Sequence, residues 1–227
     1  IREFFGSRKT LPSMASMLDP LLKKHGAQAA YGRELMIVNE AANLDQTSIA
    51  TLLREHNLPG DDGYDPLPTD DVMVDGGMQA FVTSLAKNIK PSLGESVEAV
   101  IRTENGISVQ TTRRRIDADS VIVTVPLGVL KAGTIRFDPG LPVEHRAAID
   151  RLGFGNEKKT CLVYPDTNWA KEHHMVGLHD SPYFNFMVNV AAIAGKPMIM
   201  ALSAGNKLIA ADSLSIDELA TALHANV

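Results

Sequence analysis

DSVIVTVPLGVLKAGTIRFDPGLPVEHRAAIDRLGFGNEKKTCLVYP, residues 119–165, is the stretch on which the reading of the whole chain turns. It opens with Val121, Ile122, Val123, Thr124 and Val125 and stops at Pro126. A β-favouring run of that kind, bounded by Asp119 and a proline, predicts a strand buried on both faces. A Gly/Pro-rich crossing follows, then a short helix over Ala147–Leu152 and a second strand over 159–164 that carries Lys159. Two buried strands joined in this way place a site between them.

Upstream, Ser96–Thr103 and Ile107–Thr112 alternate like strands, with Asn105-Gly106 at the hairpin turn. Arg113, Arg114 and Arg115 read as a solvated strand end rather than a phosphate site. Val72–Val74 predict a short strand and Asp75-Gly76-Gly77 a turn. Met78, Phe81, Val82, Leu85 and Ile89 then repeat at helical spacing. A glycine pair before a helix can hold an anion, but the simpler reading is a tight turn. Residues 58–71 hold two glycines, three prolines and five aspartates, which predicts a loop between two structural units. The first 57 residues read as helical. A break or restart is expected at Asp19-Pro20, a stop at Gly26, and a further helix over Thr47–His56. Downstream, Ser181–Val190 and Pro197–Ser203 read as strands. Ser213 or Ser215 caps a last helix that buries Leu219, Leu223 and Val227.

Composition narrows the function classes. The 227 residues suffice for one large or two small domains. A net charge of -5 gives no electrostatic case for nucleic acid or an anionic membrane. No apolar run approaches the roughly 20 residues of a membrane span. The single cysteine, Cys161, cannot form an internal disulfide and is expected to pack in the core. The start, IREFFGSRKT, shows no signal-peptide pattern and no initiator Met, so an internal piece of a longer chain is expected; the chain reads as soluble, and the sequence does not give its compartment, cytoplasmic being only the default.

Few residues suggest chemistry by themselves. Gly153-Phe154-Gly155 begins like a dinucleotide loop, but Lys158 stands where G-x-G-x-x-G needs its third glycine, and a strand follows instead of a helix. His173-His174 lacks a spaced partner, and no metal site is expected. No G-x-S-x-G motif is present. Glu40, Asp45 and Asp61-Asp62 could attract a cationic substrate, but surface carboxylates are common. On a strand, Lys159 shares its face with Cys161 and Val163, while Thr160, Leu162 and Tyr164 take the other. Spacing alone makes it a strand-end lysine reaching solvent. Lys158 is the alternative if the register is off by one.

VIVTVPLGVLK, IRFDPGLP, AIDRLGFGNEKK and Trp169, in that order and spacing, resemble the flavin-dependent amine oxidases, in the branch of polyamine oxidases and histone lysine demethylases. The resemblance is good from about Val72 to Trp169, weaker to Val227 and loose before Val72. It implies a mixed α/β (α+β) fold. Residues 72–130 would be part of a Rossmann-like FAD-binding domain. Residues 1–71 (helical) and 131–227 (mixed sheet and helices) would belong to the substrate domain. The N-terminal pyrophosphate loop and the C-terminal segment that closes over the flavin would be missing from this piece, leaving apolar surface exposed for the remaining segments of the parent chain.

The resemblance also assigns roles. Lys159 would be the lysine that holds a water against flavin N5 and helps deliver a neutral amine, a task suited to a buried lysine. Val97 would contact the adenine of FAD through its backbone, and Thr124, Val125 and Pro126 would pass close to the cofactor. The implied reaction passes hydride from the carbon beside the amine nitrogen to the flavin. Water hydrolyses the imine, and molecular oxygen gives hydrogen peroxide. Polyamines are the favoured substrate, because nothing reads as the sustained heptads of the demethylases' coiled-coil insertion. The opposing reading is a non-catalytic remnant of the fold that binds a partner without flavin.

Overall fold

The computed structural model describes residues 13–49, 74, 76–167 and 173–227. In chain order the elements are α1 (Met14–Glu40), α2 (Gly77–Leu85), β1 (Val97–Thr103), β2 (Gly106–Thr111), β3 (Arg115–Ala118), α3 (Leu127–Ala132), β4 (Arg136–Asp138), α4 (Val143–Arg151), β5 (Glu157–Val163), β6 (Met175–Gly177), β7 (Phe186–Asn189), α5 (Val190–Ala194), β8 (Met198–Ala204), α6 (Gly205–Asp212) and α7 (Ile216–His224). They form two compact units. One joins residues 1–72 to 155–227 and the other spans 73–154. The division therefore falls at 154/155, where the sequence reading put it at 130/131.

The first unit is built on an antiparallel sheet of order β5-β8-β7-β6. One face packs under the C-terminal helices: Phe184, Met187, Ile199, Ala201, Ala211, Leu219 and Leu223 form a single buried cluster. α7 sits there because its apolar residues recur at helical spacing and its start is locked. Ser215 Oγ accepts the Glu218 amide at 3.3 Å, and the Glu218 carboxylate accepts the Ser215 amide at 2.8 Å. Of the residues expected on its buried side, Leu219 and Leu223 are buried, while Val227 is half-exposed. The expected strand at 181–190 is shorter: 181–185 forms a loop and only Phe186–Asn189 pairs.

A second cluster (Met14, Ala15, Ile37, Leu44, Ile49, Ala204) ties α1 and the turns after it to the end of β8. α1 runs through Pro20 and breaks at Gly26, whose backbone (φ 58°, ψ −133°) is one that glycine adopts freely. The restart expected at Asp19 is absent. The helix expected over 47–56 lies mostly outside the described residues, as do the loop at 58–71, Val72 and Met73 of the expected strand, and Trp169.

The second unit carries a mixed sheet of order β3-β2-β1-β4, in which β1 and β4 run parallel. β1 and β2 form the expected hairpin, with Thr103 opposite Gly106 and two residues between. Gly106 has φ 129°, and a Cβ there would meet the Ala118 carbonyl, so glycine is required at the point where β2 passes β3. The arginine triplet is mostly neutralised: Arg114 pairs with Glu95 at 3.0 Å and Arg115 with Asp117 at 2.9 Å. That agrees with a strand end and not a phosphate site.

The central expectation of a buried strand at 121–125 fails. The run has no ladder partner among the described residues, and Ile122 is 89% exposed. Its composition is that of an inner strand, but a strand is buried only when neighbours flank and cover it, and the described residues supply none. α2 shows the same mismatch. It has the predicted apolar stripe, but Met78, Phe81, Val82 and Leu85 are all exposed.

Candidate functional site

Strand β5 decides where the two candidate lysines go. Its residues alternate between exposed and half-buried. Lys158 lies on the half-buried face and forms an ion pair with Asp212 at the end of α6. Lys159 lies on the other face, with a side chain 56% exposed and 3.6 Å from the Glu157 carboxylate. The predicted register is therefore the observed one, with Cys161 and Val163 beside Lys159. The expectation that Cys161 packs in a core is overturned: it is exposed. The alternation points it away from the α7 side of the sheet.

The ladder extends this face sideways. Lys159 stands opposite Leu202, Cys161 opposite Met200 and Val163 opposite Met198. Phe186 and Val188 continue the Leu202 and Met200 rows. One end of the face is closed by α1. Tyr31 meets Phe186 edge to face at 5.1 Å, and Gly177 leaves room for its ring, since a Cβ there would come within 2.7 Å of it. The other end is open: Val163 is 75% exposed and Met175 is also exposed. The result is an apolar, sulfur-rich wall with one ammonium on it, an arrangement that can hold an apolar chain and place a cation or a water beside it.

A buried polar clamp joins α1 to the loop before β7 and to α6. Glu34 on α1 accepts a hydrogen bond from the Asn185 amide and pairs with Lys207 at 3.3 Å. Lys207 also donates to the carbonyls of Leu178, His179 and Phe184, and Asn185 accepts the Ala204 amide. These bonds fix the 178–185 loop against α1 and β8. The sequence reading missed the clamp. Its members lie far apart in the chain and belong to no motif.

The residues expected to touch FAD all lie in the second unit. Val97 opens β1, with a register shift between it and Ala99. Thr124 and Pro126 are exposed and Val125 is half-buried; Pro126 begins α3. Gly76 and Gly77 make the tight turn before α2, with the Gly77 amide bonded to the Val74 carbonyl at 2.8 Å. The described residues hold no group of three or more metal-ligating side chains. No described helix is long and apolar enough to cross a membrane.

The model of the flavin-containing amine oxidoreductase family matches residues 21–226. The chain belongs to that family. Relatives include lysine-specific histone demethylase 1 homolog 1 of Arabidopsis thaliana, 35% identical over 77% of this chain and 21% of the relative. Polyamine oxidase 2 of the same plant is 32% identical over 73% of this chain and 32% of its own length. Among solved structures, a wild-type putrescine oxidase bound to putrescine superposes with a TM-score of 0.53 at 22% identity, over 66% of this chain and 34% of that one. That likeness shows the amine oxidase fold. The chain spans about a fifth to a third of the length of these relatives.

FAD is the cofactor of flavin amine oxidases, and the residues present fit it in part. The extended backbone at 121–125 has no ladder partner among the described residues and can lie along a cofactor, and Val97 opens β1 in the same unit. The sequence holds no G-x-G-x-x-G loop to receive a pyrophosphate. This chain thus offers an edge for FAD and not its phosphate grip.

Proposed function

We propose that this chain is part of an FAD-dependent amine oxidase acting on polyamines, and that Lys159 is the residue through which it serves the chemistry. The single observation that supports this most is the strand register. It commits Lys158 to Asp212 and leaves Lys159 on an open apolar wall. When bound, FAD supplies the acceptor for the hydride lost from the carbon beside the amine nitrogen. The chain's own part is to line the methylene chain of the amine with Val163, Met198, Met200 and Val188. Lys159 holds a water beside the reacting nitrogen and helps keep that nitrogen uncharged, because an ammonium has no lone pair to assist hydride loss. Val97 and Thr124–Pro126 supply backbone contacts to FAD.

A second reading, methyl-lysine as substrate, draws support from the similarity to a demethylase homolog over most of this chain. Peroxide release by the whole protein with spermidine, with putrescine and with a dimethyl-lysine peptide tests both. Faster turnover of the free polyamines is expected. Turnover of the peptide alone would transfer the proposal to demethylation, and no turnover of any amine would favour a non-catalytic member of the family.

A further inference from the structure

Glu157 opens β5 and shares the more exposed face of that strand with Lys159, Cys161 and Val163. It stands on the opposite side of Lys159 from Cys161 and Val163, with the buried Ala204 across the ladder. The backbone just before it is pinned to the turn after α1. The Asn156 amide donates to the Ala41 carbonyl at 3.0 Å, and a Cβ at Gly155 would come within 2.6 Å of that oxygen. The Glu157 side chain is 25% exposed, and its carboxylate lies 3.6 Å from Lys159 Nζ. At that distance the two form an ion pair without a hydrogen bond, and a carboxylate has acceptor sites for more than one donor.

This placement meets an electrostatic difficulty. A polyamine carries an ammonium at each end, and a wall charged by Lys159 alone would repel it. A carboxylate beside Lys159 offsets that charge and offers a cation a partner. The apolar rows run from Lys159 towards Val163 and take one arm of the amine. The arm on the other side of the reacting nitrogen runs towards Glu157. We infer that Glu157 is a specificity-determining residue of this site, its carboxylate accepting the terminal ammonium of that second arm. The inference rests on the reading of Lys159 given under the proposed function.

Oxygen-free titration calorimetry on the whole protein, supplied with FAD, tests it. The probes are spermidine and N-propylbutylamine, which keeps spermidine's carbon skeleton and central nitrogen but has no terminal amines. A Lys159→Met background slows flavin reduction and removes the lysine as an intermediary. In that background spermidine should bind more tightly than N-propylbutylamine. Adding Glu157→Gln is expected to weaken spermidine roughly ten- to a hundredfold, the worth of a hydrogen bond to a charged group, and to change N-propylbutylamine by less than about threefold. The melting temperature should stay where it was. Equal weakening of both amines, no weakening of spermidine, or a spermidine affinity no higher than that of N-propylbutylamine before the change overturns the inference. Peroxide release from spermidine by the parent protein reads the oxidase proposal separately. Selective weakening of spermidine without peroxide release would contradict the oxidase and uphold Glu157 as the partner of the cation.

Discussion

Lys158 and Lys159 are neighbours in the chain and point to opposite faces of one sheet: Lys158 to Asp212 on α6, Lys159 to an open wall beside Cys161 and Val163. Strand geometry alone produces this separation, and it gives the two lysines different expected phenotypes. Lys159→Met should leave the melting temperature unchanged, since it removes only an exposed contact at 3.6 Å to Glu157. The same change should slow amine oxidation by the whole protein by roughly 10²–10⁴-fold, the usual worth of a positioned proton-handling group. Lys158→Met should do the reverse: turnover kept, and stability lowered by about 0.2–1 kcal/mol for a partly exposed pair. Stopped-flow flavin reduction and thermal melts on both variants check this.

The Glu34–Lys207 pair should dominate the stability of the first unit. Both side chains are largely buried, and each is satisfied by the other and by its neighbours. Lys207→Met would strand the Glu34 carboxylate and the three loop carbonyls, at a cost of about 3–5 kcal/mol. The double variant Glu34→Leu/Lys207→Met should recover part of that loss, because no unpaired charge remains. Urea unfolding of the single and double variants measures the difference. Equal stability in the two would show that the pair does not act as a unit.

Helix α7 should loosen in acid. Hydrogen bonds from the Ser215 hydroxyl and amide hold the Glu218 carboxyl below its ordinary value of 4.5. A depressed carboxylate contributes stability that is complete above its unfolded value and is lost as pH falls through the lower folded one. Unfolding midpoints should therefore decline below about pH 4.5, and Glu218→Gln should flatten that decline while lowering the midpoint at neutral pH. A Gln variant with the parent's acid limb would assign the effect elsewhere.

Gly177→Ala should disturb the closed end of the Lys159 wall. A Cβ at this position would approach the Tyr31 ring to 2.7 Å, so the ring must leave Phe186 or β6 must shift. The expected cost is about 1–3 kcal/mol, as for other overpacked sites. A Tyr31→Ala/Gly177→Ala pair should cost less than the sum of its parts, which thermal melts can resolve.

Much of the local structure was legible from pattern. The hairpin around residue 105, the amphipathic stripe of α2, the β5 register and the Ser215 cap each rest on residues close together in sequence. What escaped were statements about neighbours. Val121–Val125 has the composition of an inner strand, but burial depends on partners that the described residues do not contain. Cys161 looked like core for the same reason. The Glu34–Asn185–Lys207 clamp escaped because its polar residues are joined only by the fold. Of the proposed site, the alternation of β5 could be read from sequence, but the choice of Lys159 came from the resemblance, and the openness of its wall could be read from neither.

The visible absorbance spectrum of the whole protein, recorded after gel filtration with FAD and again after anaerobic addition of spermidine, tests the central claim most directly. The account predicts a flavin band that co-elutes with the protein and bleaches on adding the amine, with bleaching slowed in Lys159→Met. A protein that keeps no flavin, or a bound flavin that no amine reduces, would contradict it.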